Sequence, residues 1–523
     1  MANLITEEFR MKLNYKRTIL VGFAFFLISA FWQAYDATIP VILTNKFGMS
    51  QTWSGVIMAL DNILAVFMLP LFGALSDKCL GNKFGKRTPF ITIGTIAAAV
   101  ALVALSFVDA AQLKNISDVA VIDDPAALTV IYDSQANSEL MTPDGEKFIL
   151  SDVMSKEEFT SITSTDENGT NPDYTNYVAT ARQAYAAAAT KANPVPLVLF
   201  IVLLLVVLVA MAVFRSPAVA LMPDVTVKPL RSKANAVINL MGTAGGILVL
   251  VLGMVFATSA VRNQMMNYTV YYCVIAGIML GALAVFLLTV REKDWSRQMR
   301  EDSVKFGIEE ETNNDADADR KLSSSEKRSL LLILASIALW YFGYNAVTSK
   351  YSVYAGNILN MDYNTTLLLA QAAAIVAYLP AGMVASKIGR KKTILAGVLL
   401  LTCAFGAAGA MRSGSSVLLM NILFALAGIG WATINVNSFP MVVEMCSGAD
   451  IGKYTGFYYT ASMSAQIATP MLSGLLMDGF GMTILFPYAA VFVALAFMTM
   501  SAVKHGDAKI EGKKGLDAFD LDD

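Results

Sequence analysis

Apolar runs of about twenty residues recur along this chain, separated for the most part by short polar connections. A helix rises about 1.5 Å per residue and a bilayer core is about 30 Å thick, so a run of that length is a membrane-spanning helix. The pattern predicts twelve spans. Six lie at roughly 18–43, 52–75, 90–110, 195–222, 235–260 and 269–290. Six more lie at roughly 329–349, 363–386, 393–411, 416–443, 454–477 and 481–503. The fold class is therefore all-α and membrane-embedded. Residues 1–290 form a first six-helix bundle and 329–505 a second. A charged, Ser/Asn/Asp-rich stretch, 291–328, reads as a solvated cytoplasmic linker, and 506–523 as a cytoplasmic tail.

One stretch breaks the symmetry. Between the third and fourth spans, at about 111–194, the chain is polar. By the parity of spans this insert lies outside, where its excess of acids from Asp118 to Asp173 also fits. Tyr177 to Ala192 is Ala-rich and predicts a helix that extends the fourth span outward. The remainder has few large apolar residues and predicts at most a small lid, or a decoration that polar loops tolerate. Asn115-Ile-Ser and Asn168-Gly-Thr are glycosylation-type triplets there, short enough to arise by chance.

Composition agrees with the spans. Of 523 residues 56% are hydrophobic and 15% charged, and mean hydropathy is +0.55, too apolar for a solvated surface all round. A net charge of −2 points to no nucleic-acid partner. Cys79, Cys273, Cys403 and Cys446 all fall outside the insert and suggest no disulfide framework. The lone His505 reads as a solvated surface residue. The polar start, MANLITEEFRMKLNYKR, and the long first span predict no cleaved signal. Lys and Arg cluster before the first span (Arg10, Lys12, Lys16, Arg17) and after the second (Lys78, Lys83, Lys86, Arg87). They cluster again after the fourth (Lys228, Arg231, Lys233) and the eighth (Arg390, Lys391, Lys392). The opposite connections hold mostly single charges: Lys46, Arg262, Lys350, Arg412. This bias places both termini in the cytoplasm of a multi-pass cell-membrane protein. No nucleotide loop, metal cluster or nucleophile–base set is visible, so neither an enzyme nor a cofactor or metal site is expected.

A charged side chain inside a span costs roughly 2.5–3.5 kcal/mol on insertion scales and needs a reason. Three stand out: Asp36 late in the first span, Asp61 midway along the second and Arg215 in the fourth. A carboxylate in a low-dielectric cavity can load and release a proton. Asp61 suits that role by its depth, with Asp36 and Arg215 as further coupling candidates. A structural ion pair is the plainer alternative. A second set is aromatic and amide: Trp32, Gln33, Tyr35, Asn62, Asn239, Trp340, Tyr344, Asn345, Gln371, Trp431, Asn435 and Gln466. Trp340 and Tyr344 are four residues apart and share a helix face. A sugar has apolar C–H faces and a rim of hydroxyls, which aromatic platforms and amides match. Membrane anchoring and helix-to-helix bonding are the competing reasons for such residues.

Half a chain apart, the sequence repeats a basic Gly loop: Gly73-Ala-Leu-Ser-Asp77-Lys78 then Gly85-Lys86-Arg87-Thr-Pro89, and Gly382-Met-Val-Ala-Ser386-Lys387-Ile-Gly389-Arg390-Lys391-Lys392. On these loops the chain, insert excepted, resembles the major facilitator superfamily. Asp77 and Gly85 are eight apart, and the Pro-ended form is similar to the sucrose–proton and glycoside–pentoside–hexuronide:cation symporters. Arg215-Ser-Pro217-Ala-Val-Ala-Leu-Met-Pro223-Asp224 and Pro229-Leu-Arg231-Ser-Lys233-Ala-Asn235 resemble their fourth-to-fifth helix segment. Gly428-Ile-Gly430-Trp431 and Gly456-Phe-Tyr458 are weaker echoes.

The resemblance implies a secondary transporter, working as a monomer, that carries a sugar with a cation by alternating access. It implies that Asp77 caps the eleventh helix and that Lys86 or Arg87 pairs with Asp224. Together with Arg231 and Arg390 in the neighbouring loops, these close an inner gate. Ser386 stands where the second loop usually has an acid, which weakens the mirror gate. The melibiose-type sodium site uses two acids one and two turns before the loop Gly, where this chain has Leu69 and Ala65; a proton is the better-matched ion. Efflux of drugs or metabolites, and a non-transporting sugar sensor on the same fold, remain open.

Overall fold

The computed structural model describes residues 13–79, 84–166, 169–227, 230–305, 323–443, 445 and 451–506. Twelve long helices dominate it. In the first half they are α1 (Tyr15–Val41), α2 (Gln51–Lys78), α3 (Thr88–Asn115), α4 (Val195–Val225), α5 (Arg231–Val255) and α6 (Thr269–Thr289). In the second they are α7 (Ser324–Tyr354), α8 (Tyr363–Ile388), α9 (Arg390–Ala408), α10 (Val417–Val443), α11 (Ile451–Phe480) and α12 (Leu485–Ser501). Among the described residues ten helices are long and apolar enough to cross a membrane; α8 and α11 are not among the ten. Both of those face the opposite bundle, where Gln371 of α8 and Asp478 of α11 make polar contacts.

Local chemistry sets the ends. Ser50 accepts from the Trp53 amide to start α2, and Ser323 with Glu326 makes a reciprocal capping box at the start of α7. Asp362 takes the Asn364 and Thr365 amides to start α8. Prolines sit inside α1, α2, α4, α8, α10 and α11, where packed neighbours compensate the lost backbone bonds. Both α1 and α7 continue through a π turn, to Lys46 and Leu359.

Two apolar cores form. In the first half α1 packs on α5 and α6, and α3 on α4 and α6, burying Phe31, Leu102, Phe214, Ile238 and Tyr272. In the second, α7 packs on α12 and α10 on α8 and α9, burying Trp340, Phe405, Phe424 and Phe486. The halves meet along α2 with α11, α5 with α8 and α1 with α7.

Five expectations are corrected here. The first half of the linker is not merely solvated: Glu292–Lys305 is a helix docked on the first bundle, with Arg17 bonded to Gln298 at 2.8 Å and over the Trp295 ring at 4.8 Å. The insert has more than a lid's substance. Leu128, Ile131, Leu150, Phe159, Tyr174 and Val178 form a third core, completed by Val261 and Met265 from the α5–α6 connection. Its helix Thr180–Ala192 does not continue into α4, because Asn193-Pro194 breaks between them. Lys46 and Lys350 are not loop charges, since both helices run further than the hydropathy suggests and bury them. His505 is half-buried, 3.1 Å from Ser329 Oγ. The Asn168 triplet begins outside the described residues.

Candidate functional site

Asp36 and Asp61 come to the same depth. Each lies ten residues from the insert-side end of its helical run, Lys46 and Gln51 respectively, or about 15 Å along the axis. Both are half-buried and act electrostatically on each other, and Arg215 from α4 acts on Asp61. Asn62 donates to Asp61 Oδ1 at 2.8 Å. The Arg215 guanidinium stands 5.6 Å from the Trp32 ring, a cation–π distance, and Tyr459 from α11 approaches it from the other bundle. Arg215 thus acts on Asp61, and Asp36 faces burial and the charge of Asp61.

The amide and aromatic residues surround this cluster unequally. Gln371 donates to Gln33 Oε1 at 2.6 Å, joining α8 to α1 beside Gly246 of α5. Asn239 lies seven residues before Gly246 on that α5 face and is exposed. Tyr344 stacks on Trp431 with centroids 3.6 Å apart and planes 3° from parallel, and Tyr341 meets the same indole edge-on. Tyr378 bonds Asn435. Gln466 is half-buried on α11. Among the described residues, the buried Trp32 Nε1, Tyr35 hydroxyl and Asn345 Nδ2 have no hydrogen-bond partner. Buried donors left unpaired cost about 1–3 kcal/mol each, which a hydroxyl-rich ligand or water would recover. Trp340 is a correction: it is fully buried in the second core, while the Tyr344–Trp431 stack packs against the edge of that same core and stays partly exposed.

Of the charges expected at the inner gate, Lys86 and Arg87 do pair with Asp224. Arg87 Nε donates to Asp224 Oδ2 at 2.9 Å, and Lys86 Nζ stands 3.2 Å from the same oxygen. Arg87 also bonds Ser76. All four residues belong to the first bundle, and these bonds tie the α2–α3 connection to the end of α4. The Glu292 carboxylate, which the sequence did not single out, accepts the Lys86 and Arg87 amides at 2.8 Å and the Thr88 amide at 2.8 Å, capping α3 from the connecting helix. Arg390 is buried at the start of α9. Asp77 lies on α2 and Arg231 on α5; their side chains fall outside the described part of the structure.

Bonds that cross between the bundles are found at the midplane and at the insert end. Asp478 of α11 accepts the Gln51 and Thr52 amides at 2.7 Å each, so the second bundle caps the first bundle's α2. Lys350, fully buried, donates to the Gln51 carbonyl at 2.7 Å. Ser259 bonds Asp362 at 2.6 Å and Thr258 meets the Tyr363 hydroxyl at 2.8 Å, joining the α5–α6 connection to α8. This end is closed. Nothing in the hydropathy pattern marks Asp478, Asp362 or Lys350, since each sits at or beyond the end of an apolar run, where a charge needs no special reason. A separate buried pair, Lys46 Nζ to Asp109 at 2.6 Å, also takes the Met266 carbonyl at 2.7 Å and so has its partners satisfied.

Two six-helix halves that meet over a charged and amide-lined centre define a membrane protein of the two-bundle class. A sequence profile of the Major Facilitator Superfamily matches residues 179–377 and 365–517, more than half of the chain, and the chain belongs to that superfamily. It is 26% identical over 134 residues to the MFS-type transporter ppzB of Metarhizium rileyi, a match spanning 25% of this chain and 27% of that relative. It is 28% identical over 75 residues to the sucrose transport protein SUC4 of Arabidopsis thaliana, 14% of each chain. The inward-open xylose transporter XylE of E. coli superposes with a TM-score of 0.57 at 14% identity, covering 94% of this chain and 97% of that one. At that identity the likeness is one of fold.

Proposed function

We propose that this protein is a secondary active transporter that takes up a glycoside or small oligosaccharide with a proton, by alternating access of a midplane site. The observation that carries the reading is the neighbouring pair Asp36 and Asp61, with Arg215 acting on Asp61, beside a wall of Trp32, Gln33, Gln371, Tyr344 and Trp431. Asp61 binds the proton, and Arg215 is free to leave it for sugar hydroxyls when the proton is present. Trp32 and the Tyr344–Trp431 stack offer apolar faces to the sugar ring. Gln33, Asn345 and Asn62 offer both donors and acceptors to its rim. The match to a sucrose transport protein supports the sugar, and the Lys/Arg-rich loops support a cytoplasmic side for both termini. In that orientation the insert end faces outside and the structure is the state closed to the outside.

One proton entering down 100 mV yields about 2.3 kcal/mol, enough for roughly fiftyfold accumulation. The test is uptake of a labelled panel of di- and oligosaccharides into proteoliposomes, with and without an imposed pH gradient. At least one sugar should accumulate when the lumen is alkaline and stop when a protonophore is added. Accumulation that ignores the pH gradient and needs sodium overturns the coupling ion. Export of amphipathic drugs with no sugar flux favours efflux.

A further inference from the structure

The insert holds both bundles at the end that is closed. With the first bundle its ties are continuous: it runs covalently from α3 to α4, Gln183 donates to Asn45 Oδ1 at 2.8 Å, and Val261 and Met265 complete its core. Among the described residues, its ties to the second bundle lie at two points. The first is the tip of a hairpin between strands β1 (Glu139–Met141) and β2 (Lys147–Ile149). There the Pro143 carbonyl accepts the Met482 amide at 2.7 Å. Gly145 (φ 93°) and Gly481 (φ 87°) let the two backbones meet; a Cβ on Gly145 would stand 2.8 Å from the Phe480 carbonyl. The second point is Thr175 Oγ1, which donates to Asn360 Oδ1 at 3.0 Å. Asn360 is itself held by Ser413, with its amide 2.8 Å from the hydroxyl. Met482 lies on the α11–α12 connection and Asn360 on the α7–α8 connection, so two of the second bundle's three connections at this end are gripped.

We infer that the insert is a strap: a rigid extension of the first bundle that grips two connections of the second only while this end is closed. The inference rests on the alternating-access reading above. Opening the insert end moves the bundles apart here and must break both grips, whereas the ties to the first bundle travel with it. Contacts present in one state and absent in the other set the population ratio of the two. The strap therefore sets how far the resting protein favours the state closed at the insert end, without touching the sugar site.

Spin labels at positions 78 and 387, both exposed at the basic-loop end of α2 and α8, read the separation of the bundles there in nanodiscs with the native cysteines replaced by serine. The unmodified strap should give mainly the long separation. Gly481→Val, which wedges the hairpin tip out, should raise the ratio of short to long separations at least tenfold. Should that variant fail to fold, the double variant Thr175→Ala with Asn360→Ala tests the same point and should shift the ratio in the same direction. Conversely, a cysteine pair Thr175→Cys and Asn360→Cys, bridged by a short reducible bis-thiol reagent, should fix the long separation and stop transport until reduced. Folded variants with unchanged separations, or a bridged protein that transports at the full rate, overturn the strap. A shift in separations in a protein that moves no sugar would sink the transport reading and leave the strap standing.

Discussion

Glu292 shows how a single carboxylate can hold a corner of this molecule. It is buried, and it accepts three successive amides at the start of α3, where the helix has no intrahelical partners for them. The negative charge also meets the positive end of the helix dipole. Glu292→Gln keeps the shape but removes the charge, and about 1 kcal/mol of stability should go with it. The thermal midpoint in nanodiscs should fall while sugar affinity stays; an unchanged midpoint would mean that the cap contributes nothing net. Residues of this kind are the least legible in a sequence. A Glu after a span reads as solvated unless the chain is known to fold back on it. Asp36, Asp61 and Arg215 were legible for the opposite reason: a charge inside an apolar run has no solvated alternative. Trp340 was misplaced because spacing gives a shared face but not which partner that face meets.

At the scale of helices, the contact between α2 and α11 decides which end is shut. Gly55 lies against the Pro470 carbonyl and Gly474 against the Gln51 carbonyl, so the two helices approach through bare backbone. Asp478 then caps α2 from the other bundle, and Lys350 binds the Gln51 carbonyl beside it. Gly55→Leu leaves no room for that approach and should drive the protein toward the state open at the insert end. A cysteine placed beside Asp61 should then react at least tenfold faster with an impermeant thiol reagent from the insert side. Equal reactivity in the folded variant would show that α2 and α11 do not form the closing contact. The helices themselves were readable from the length of their apolar runs, and their ends from Ser50 and the Ser323–Glu326 box. Which helices meet across the bundles was not, because the facing residues are small and amide-bearing rather than periodic. The ion cluster of Arg87, Lys86 and Asp224 illustrates this. The pairing expected from the family resemblance is present, but it lies inside one bundle.

At the scale of the whole molecule, the two-bundle plan follows from the repeat of six spans and a basic Gly loop. The insert escaped because its core is assembled from scattered residues of low local hydropathy, together with Val261 and Met265 from a distant connection. The central claim is that one carboxylate, Asp61, moves a proton with each sugar. Proteoliposomes loaded with a pH dye test it directly, with a transported sugar added outside and no pH gradient imposed. Sugar entry through the unmodified protein should acidify the lumen. The Asp61→Asn protein should exchange labelled for unlabelled sugar but give no acidification. Sugar entry without proton entry in the unmodified protein, or an undiminished proton signal in Asp61→Asn, would contradict the account.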